Sequence, residues 1–173
     1  MARMYGDGAF MQFESPESRV HLQEMCDDKV IARLCLDLNE DLPDGSSGLG
    51  LEFETGERLV IMTLMVTEGH WLARLIWRWI PAQSIWTKSM RRHYGADRHV
   101  AGEAPPNFLQ RQIEGQVIAG VLVPKDHLGM GERLDMEFRD TSRLVIEAVP
   151  DLVLNCADLD IQRIARPRMV THG

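Results

Sequence analysis

Cysteine is scarce in this chain and follows no pattern: Cys26, Cys35 and Cys156 are an odd set without C-x-x-C spacing. That speaks against a disulfide framework and a thiolate zinc site, and makes each a small apolar residue of the interior. One local exception is weighed, since His21 precedes Cys26 closely and a catalytic thiol needs a nearby base. Long apolar runs are also missing. In the most apolar region the charge-free stretch is Leu59 to Thr67, about half of what a membrane-spanning helix requires, so no membrane span is expected. The opening "MARMYGDGAFMQFESPES" has no signal-like apolar core, which points to a cytoplasmic location.

Motifs for metal and cofactor chemistry are lacking in the same way. "LDLNEDLPDGSSG" sets Asp37, Asn39 and Asp41 at the spacing that opens a calcium loop, but Leu42 stands where glycine is needed and Gly48 where glutamate is needed. "DGSSGLG" has no lysine to complete a phosphate loop. The six histidines form no H-E-x-x-H, and neither a metal nor a cofactor is expected. Glu52 and Glu54 share one side of a strand as an acid/base pair would, yet an ion-paired outer face explains them more simply. No catalytic residue is assigned.

Positive charge is short and unevenly placed. Residues 1–70 carry five basic against fourteen acidic side chains, residues 71–100 six against one, and residues 101–173 eight against eleven. With a net charge of −7, the summed field repels phosphate, which argues against non-specific nucleic-acid binding.

What the chain does have is repetition. "LQEMCDDKVIA" at 22–32 returns as "LQRQIEGQVIA" at 109–119, and "LEFETGERLVI" at 51–61 returns as "MEFRDTSRLVI" at 136–146. Eleven residues recur, among them Leu22, Val30, Phe53 and Arg58 as Leu109, Val117, Phe138 and Arg143. Leu22, Met25 and Cys26, and Leu109 and Ile113, have helical spacing, with Asn107 to cap the second helix and Gly115 to end it. Val30, Ala32, Leu34, Leu36 and Leu38 alternate with more polar neighbours, as Val117, Ala119, Val121 and Val123 do, which predicts first strands. "ETGE" and "RDTS" then turn a second strand into a third, "RLVI", and "DLVLNC" at 151–156 supplies a further strand.

The expected fold is therefore α+β and mainly antiparallel β, with an internally duplicated helix-strand-hairpin unit giving two pseudo-symmetric lobes. Residues 1–94 form the first β-rich repeat, 95–107 a linker and 108–173 the second repeat. Two similar hairpins in one sheet without common origin are the competing account. The order "LQ…G.VI…L.MEF…RLVI" resembles short β-rich domains of bacterial proteins, including immunity proteins that neutralise a partner toxin. The resemblance implies a binding role and no catalytic residues.

One stretch, residues 69–94, has no sequence counterpart in the second copy and holds all four tryptophans. As a helix it would stripe Leu72, Leu75, Ile76, Trp79 and Ile80; as a strand it would put Trp71, Ala73, Leu75, Trp77 and Trp79 on one face and Arg74 and Arg78 on the other. The turn-like "TEGH" favours a strand. Tryptophan, tyrosine and arginine anchor interfaces, so Trp71, Arg74, Trp77, Arg78, Trp79, Trp86, Lys88, Arg91, Arg92 and Tyr94 are the candidate contact residues for a protein partner. Alternatively the tryptophans fill the groove between the lobes, and a homodimer through the same surface is compatible with both accounts. The leading expectation is a non-catalytic protein-binding module, an inhibitor of immunity or anti-defence type from a bacterium or phage. A nucleic-acid binder stacking bases on Trp77, Trp79, Trp86 and Tyr94, an enzyme, or a structural component are the alternatives.

Overall fold

A computed structural model describes residues 10–13, 15–38, 48–66, 72–82, 108–124 and 130–165. Asn107, Asn39, Asp41 and the 95–107 linker lie outside these residues. The elements run β1 (Met11–Gln12), α1 (Pro16–Cys26), β2 (Ile31–Leu38), β3 (Gly48–Phe53), β4 (Arg58–Met65), β5 (Ala73–Ile80), α2 (Phe108–Ile113), β6 (Ile118–Leu122), β7 (Arg133–Phe138), β8 (Arg143–Asp151) and β9 (Cys156–Ile164). Every neighbouring pair of strands is antiparallel, in one sheet ordered β1-β5-β4-β3-β2 and another ordered β6-β7-β8-β9. The expected mainly antiparallel fold with short helices is present.

Each helix follows from local chemistry. Ser15 caps α1 by accepting from the Ser18 N–H at 3.4 Å, Pro16 opens it, and Ser18, Leu22 and Cys26 recur every fourth residue to form its buried face. Gly115, at φ +88°, follows α2 where a left-handed turn is needed. Leu22 and Ile113 join a single core with Leu51, Phe53, Leu134 and Phe138, so both halves feed one interior.

The two first strands depart from simple alternation, and for the same reason. On β2, Ile31 faces Phe53 and Arg33 faces Glu52, so Ala32 is an extra residue; on β6, Ile118 faces Phe138 and Gly120 faces Glu137, leaving Ala119 over. These β-bulges flip the phase, so Ile31 with Leu34, and Ile118 with Val121, enter the core while Ala32 and Ala119 face solvent. The expected inward set headed by Val30 and Ala32, and by Val117 and Ala119, is corrected accordingly.

The halves cross at these strands. Val30 bridges Val117; the Ile31 N–H donates to Gln116 O (2.9 Å) and the Ile118 N–H to Lys29 O (3.0 Å), while Asp28 N–H reaches Ile118 O and Gly115 N–H reaches Ile31 O. α1 packs on β6, and α2 packs on β2, with the Gln110 amide donating to Leu34 O at 3.0 Å. Each helix thus covers a strand of the other half. A second seam joins β5 to β8 through residues 130–132: Glu132 N–H donates to Ala73 O and Ala148 N–H to Glu132 O, both at 2.9 Å. Gly131 sits at its closest approach, beside Ala73.

Two further expectations are corrected. "DLVLNC" is no strand: Asp151 ends β8, Asn155 takes a left-handed φ of +50°, and β9 starts at Cys156. Nor does β5 lack a counterpart, since β9 pairs with β8 as β5 pairs with β4, placing Arg143 opposite Ile164 as Arg58 is opposite Ile80.

The hairpin turns carry a testable difference. Gly56 turns β3 into β4 at φ +86°, a conformation open to glycine; Thr141 makes the β7–β8 turn at φ +70°, which a β-branched side chain resists. Asp140 compensates by accepting from the Ser142 N–H at 2.8 Å. Thr141→Gly is expected to stabilise the fold by about 1 kcal/mol, read as a higher urea midpoint at unchanged slope.

Candidate interaction site

The aromatic strand β5 turns its tryptophans inward. Trp77 is 2% exposed, packs under α1 with its ring 5.9 Å from His21, and donates its indole N–H to Ser18 Oγ at 2.9 Å. A side chain so placed offers no area to a partner. Trp79 is half-buried, stacks on Phe53 at 5.3 Å and donates to Glu57 Oε2 at 2.9 Å. Arg74 and Arg78 lie on the other face of the sheet, where the Arg78 guanidinium stands 5.0 Å over the Phe10 ring. Trp71, Trp86, Lys88, Arg91, Arg92 and Tyr94 lie outside the described residues.

Glu57 organises this corner. Its other oxygen accepts from Lys29 at 2.6 Å, joining the end of α1 to the β3–β4 turn. That bond holds the Glu57 carboxyl below its usual 4.5; partial burial opposes the effect, and Thr55 and Trp79 reinforce it. A carboxyl with a depressed folded pKa stabilises the fold above its unfolded pKa and loses that contribution as pH falls through the folded value. Glu57→Gln is therefore expected to lower the urea midpoint at neutral pH, and the difference from the wild type is expected to shrink as pH falls below the usual carboxylate value. A constant difference at all pH values would show that Glu57 acts without its charge.

The candidate thiol beside His21 is closed off. Burial pushes the pKa of the Cys26 thiol up to about 12, so it stays protonated and inert, while His21 is exposed on α1 with its ring tilted against Trp77.

The exposed apolar surface lies elsewhere, at the β8–β9 turn. Leu152, Val153 and Leu154 are 64%, 92% and 73% exposed, the only run of three large exposed apolar residues among those described. The turn is braced from within: Val153 and Leu154 donate their N–H groups to Asp151 Oδ1 at 3.0 and 3.1 Å. Asp151, Cys156 and Asp158 cluster at its base, with their ligating atoms within 4.8 Å of one another. The geometry is an apolar knob on an acidic collar. The strand propensity of residues 152–154 masks it in the sequence; the signal that marks it is Asp151 and Asn155 bracketing three apolar residues.

No helix among the described residues is long and apolar enough to cross a membrane. The class defined by fold and surface is a two-sheet antiparallel β protein with exchanged helices and a protruding apolar hairpin. No protein family, curated protein or solved structure matches the chain.

Proposed function

We propose that the chain is a non-catalytic protein-binding module, an inhibitor that seats its β8–β9 tip in a partner protein. The observation that carries this reading is the tip itself. Three consecutive exposed apolar side chains are costly to leave in water, and the Asp151 hydrogen bonds fix their backbone before any contact is made. A prefolded knob loses little conformational freedom on binding, which favours tight insertion. Arg74, Arg78 and Trp79, with Trp71, Trp86, Lys88, Arg91, Arg92 and Tyr94, form a second proposed contact region; Trp77 is left out because it is buried.

We also read the two halves as copies of one unit. In support, the crossing hydrogen bonds come in exchanged pairs, Ile31 to Gln116 with Ile118 to Lys29, and Asp28 to Ile118 with Gly115 to Ile31. The matched bulges and the left-handed residues Asp28 with Gly115 and Gly56 with Thr141 agree.

The test places a photo-crosslinking amino acid at Val153 of the full chain in its native cells. A discrete adduct that disappears when Leu152 and Leu154 are changed to serine is the expected result. Absence of any adduct would sink the reading.

A further inference from the structure

We propose that a second copy of this chain pairs with the outer edge of β9, strand β9 against strand β9, so that the two four-stranded sheets become one. The inference goes beyond the partner reading above and makes no use of the tip, since residues 152–155 precede the paired segment.

The other sheet edges are closed. β5 carries β1; β2 is bulged, and the Gln110 side chain takes the Leu34 carbonyl; β6 has five residues, a bulge, and α1 packed against it. By contrast β9 runs for nine residues in unbroken register with β8, and no described strand lies on its other side. It holds no proline, glycine or lysine, the residues that usually guard an exposed edge.

Hydrogen-bond direction identifies the groups that edge presents. The Ala148 N–H donates to Glu132 O on the β7 side, so the even-numbered residues of β8 bond toward β7 and the odd-numbered ones toward β9. The partners of those odd residues are Cys156, Asp158, Asp160, Gln162 and Ile164. Ala157, Leu159, Ile161 and Arg163 therefore turn their N–H and C=O groups outward, and the Thr63 hydroxyl donating to Ala157 O at 2.7 Å agrees.

A strand fits on such an edge in this molecule. β5 holds the matching place beside β4, with Leu75 and Trp77 corresponding to Leu159 and Ile161. Antiparallel β1 lies along it, Met11 opposite Trp77, and the Phe13 N–H donates to Leu75 O at 3.3 Å. Leu75 and Trp77 are sealed, at 1% and 2% exposed, whereas Leu159 and Ile161 are only partly buried.

Charge and symmetry then select β9 of a second copy and its register. Two antiparallel strands related by a two-fold axis through their shared sheet set one residue opposite itself. Centring on Asp158 or Asp160 brings like charges face to face, and centring on Leu159 sets Asp158 opposite Asp160. Centring on Gln162 carries the Leu159 groups past Ile164, the end of the strand. Centring on Ile161 meets no such conflict. Asp160 then faces Gln162, Asp158 faces Ile164 and Leu159 faces Arg163, so no carboxylates meet. In that register Leu159, Ile161 and Arg163 of each copy all donate and accept across the axis, which satisfies the groups left open on both edges.

The test uses the purified full chain. Sedimentation velocity from about 1 µM to about 1 mM is expected to show reversible dimerisation of the wild type. Gln162→Asp, at an exposed position, sets a second carboxylate opposite Asp160 on both sides of the axis and is expected to weaken association about tenfold. Adding Asp160→Lys turns each of those repulsions into an ion pair and should restore the dimer. Circular dichroism checks that both variants are folded. Hydrogen exchange supplies a second readout: the amides of Leu159, Ile161 and Arg163 are expected to slow at concentrations where the dimer forms. A chain that stays monomeric, a dimer indifferent to Gln162→Asp, or a dimer whose three amides exchange as in the monomer would each overturn the proposal. None of these results bears on the tip, whose contact role is decided by the adduct at Val153 alone.

Discussion

Gly131→Ala is expected to cost about 4 kcal/mol or more and to leave little folded protein. The added Cβ would stand 1.6 Å from the carbonyl oxygen of Ala148, far inside any real contact, and its neighbour there is backbone that cannot swing aside. Ala148 is held in place from two directions. Its N–H donates to Glu132 O, and β8 pairs with both β7 and β9. Relief of the clash must therefore open the seam between the sheets, where Glu132 also binds the Leu75 N–H through its side chain at 3.2 Å. Met130→Ala, one residue away and exposed, serves as the control and is expected to lie within about 0.5 kcal/mol of wild type. Urea denaturation of both variants checks this, and a Gly131→Ala protein as stable as the control would show that the seam can yield.

Trp77→Ala carries the second large effect, about 3–5 kcal/mol, from the loss of one of the largest fully buried side chains and the cavity left behind. It also strips Ser18 Oγ, itself buried, of its donor. Trp77→Phe separates these terms, since it keeps most of the ring and removes the N–H; it is expected to lose about 1–2 kcal/mol. Thermal melts of the two variants give the comparison, and a Trp77→Ala melt coincident with wild type would contradict the buried position. One practical consequence concerns partner binding. A binding assay on Trp77→Ala reads unfolding, so the surface is probed at Val153.

The parts of the fold legible in the sequence are those set by short-range chemistry. Turn residues in "ETGE" and "RDTS" placed both hairpins, and the spacing of Leu22 and Cys26 placed α1. The phase of β2 and β6 was not legible, because a bulge adds one residue without changing composition: "VIA" reads the same whether Val30 or Ile31 points inward. The correspondence of β9 with β5 is not legible in sequence because "CADLDIQRI" and "ARLIWRWI" share register and little side-chain chemistry. The candidate site was least legible. Periodicity separates the two faces of β5 but does not tell which face is covered, and here both are, with Trp77 on one side and Ile76 and Ile80 on the other. The apolar tip is hard to read from sequence because Leu-Val-Leu has strand propensity, which the bracketing Asp151 and Asn155 override.

The crossing at Val30 and Val117 also governs when the protein can fold as it is made. β2 receives α2 and the Ile118 contacts only after a further 87 residues have been added beyond Ile31. At ~5–20 residues per second, that interval lasts roughly 4 to 17 s on the ribosome. Through it the nascent first half holds Ile31 and Leu34 without the strand and helix that will cover them. Vectorial synthesis therefore delivers an incomplete, adhesive intermediate, and pausing upstream of residue 108 lengthens its exposure to chaperones and proteases.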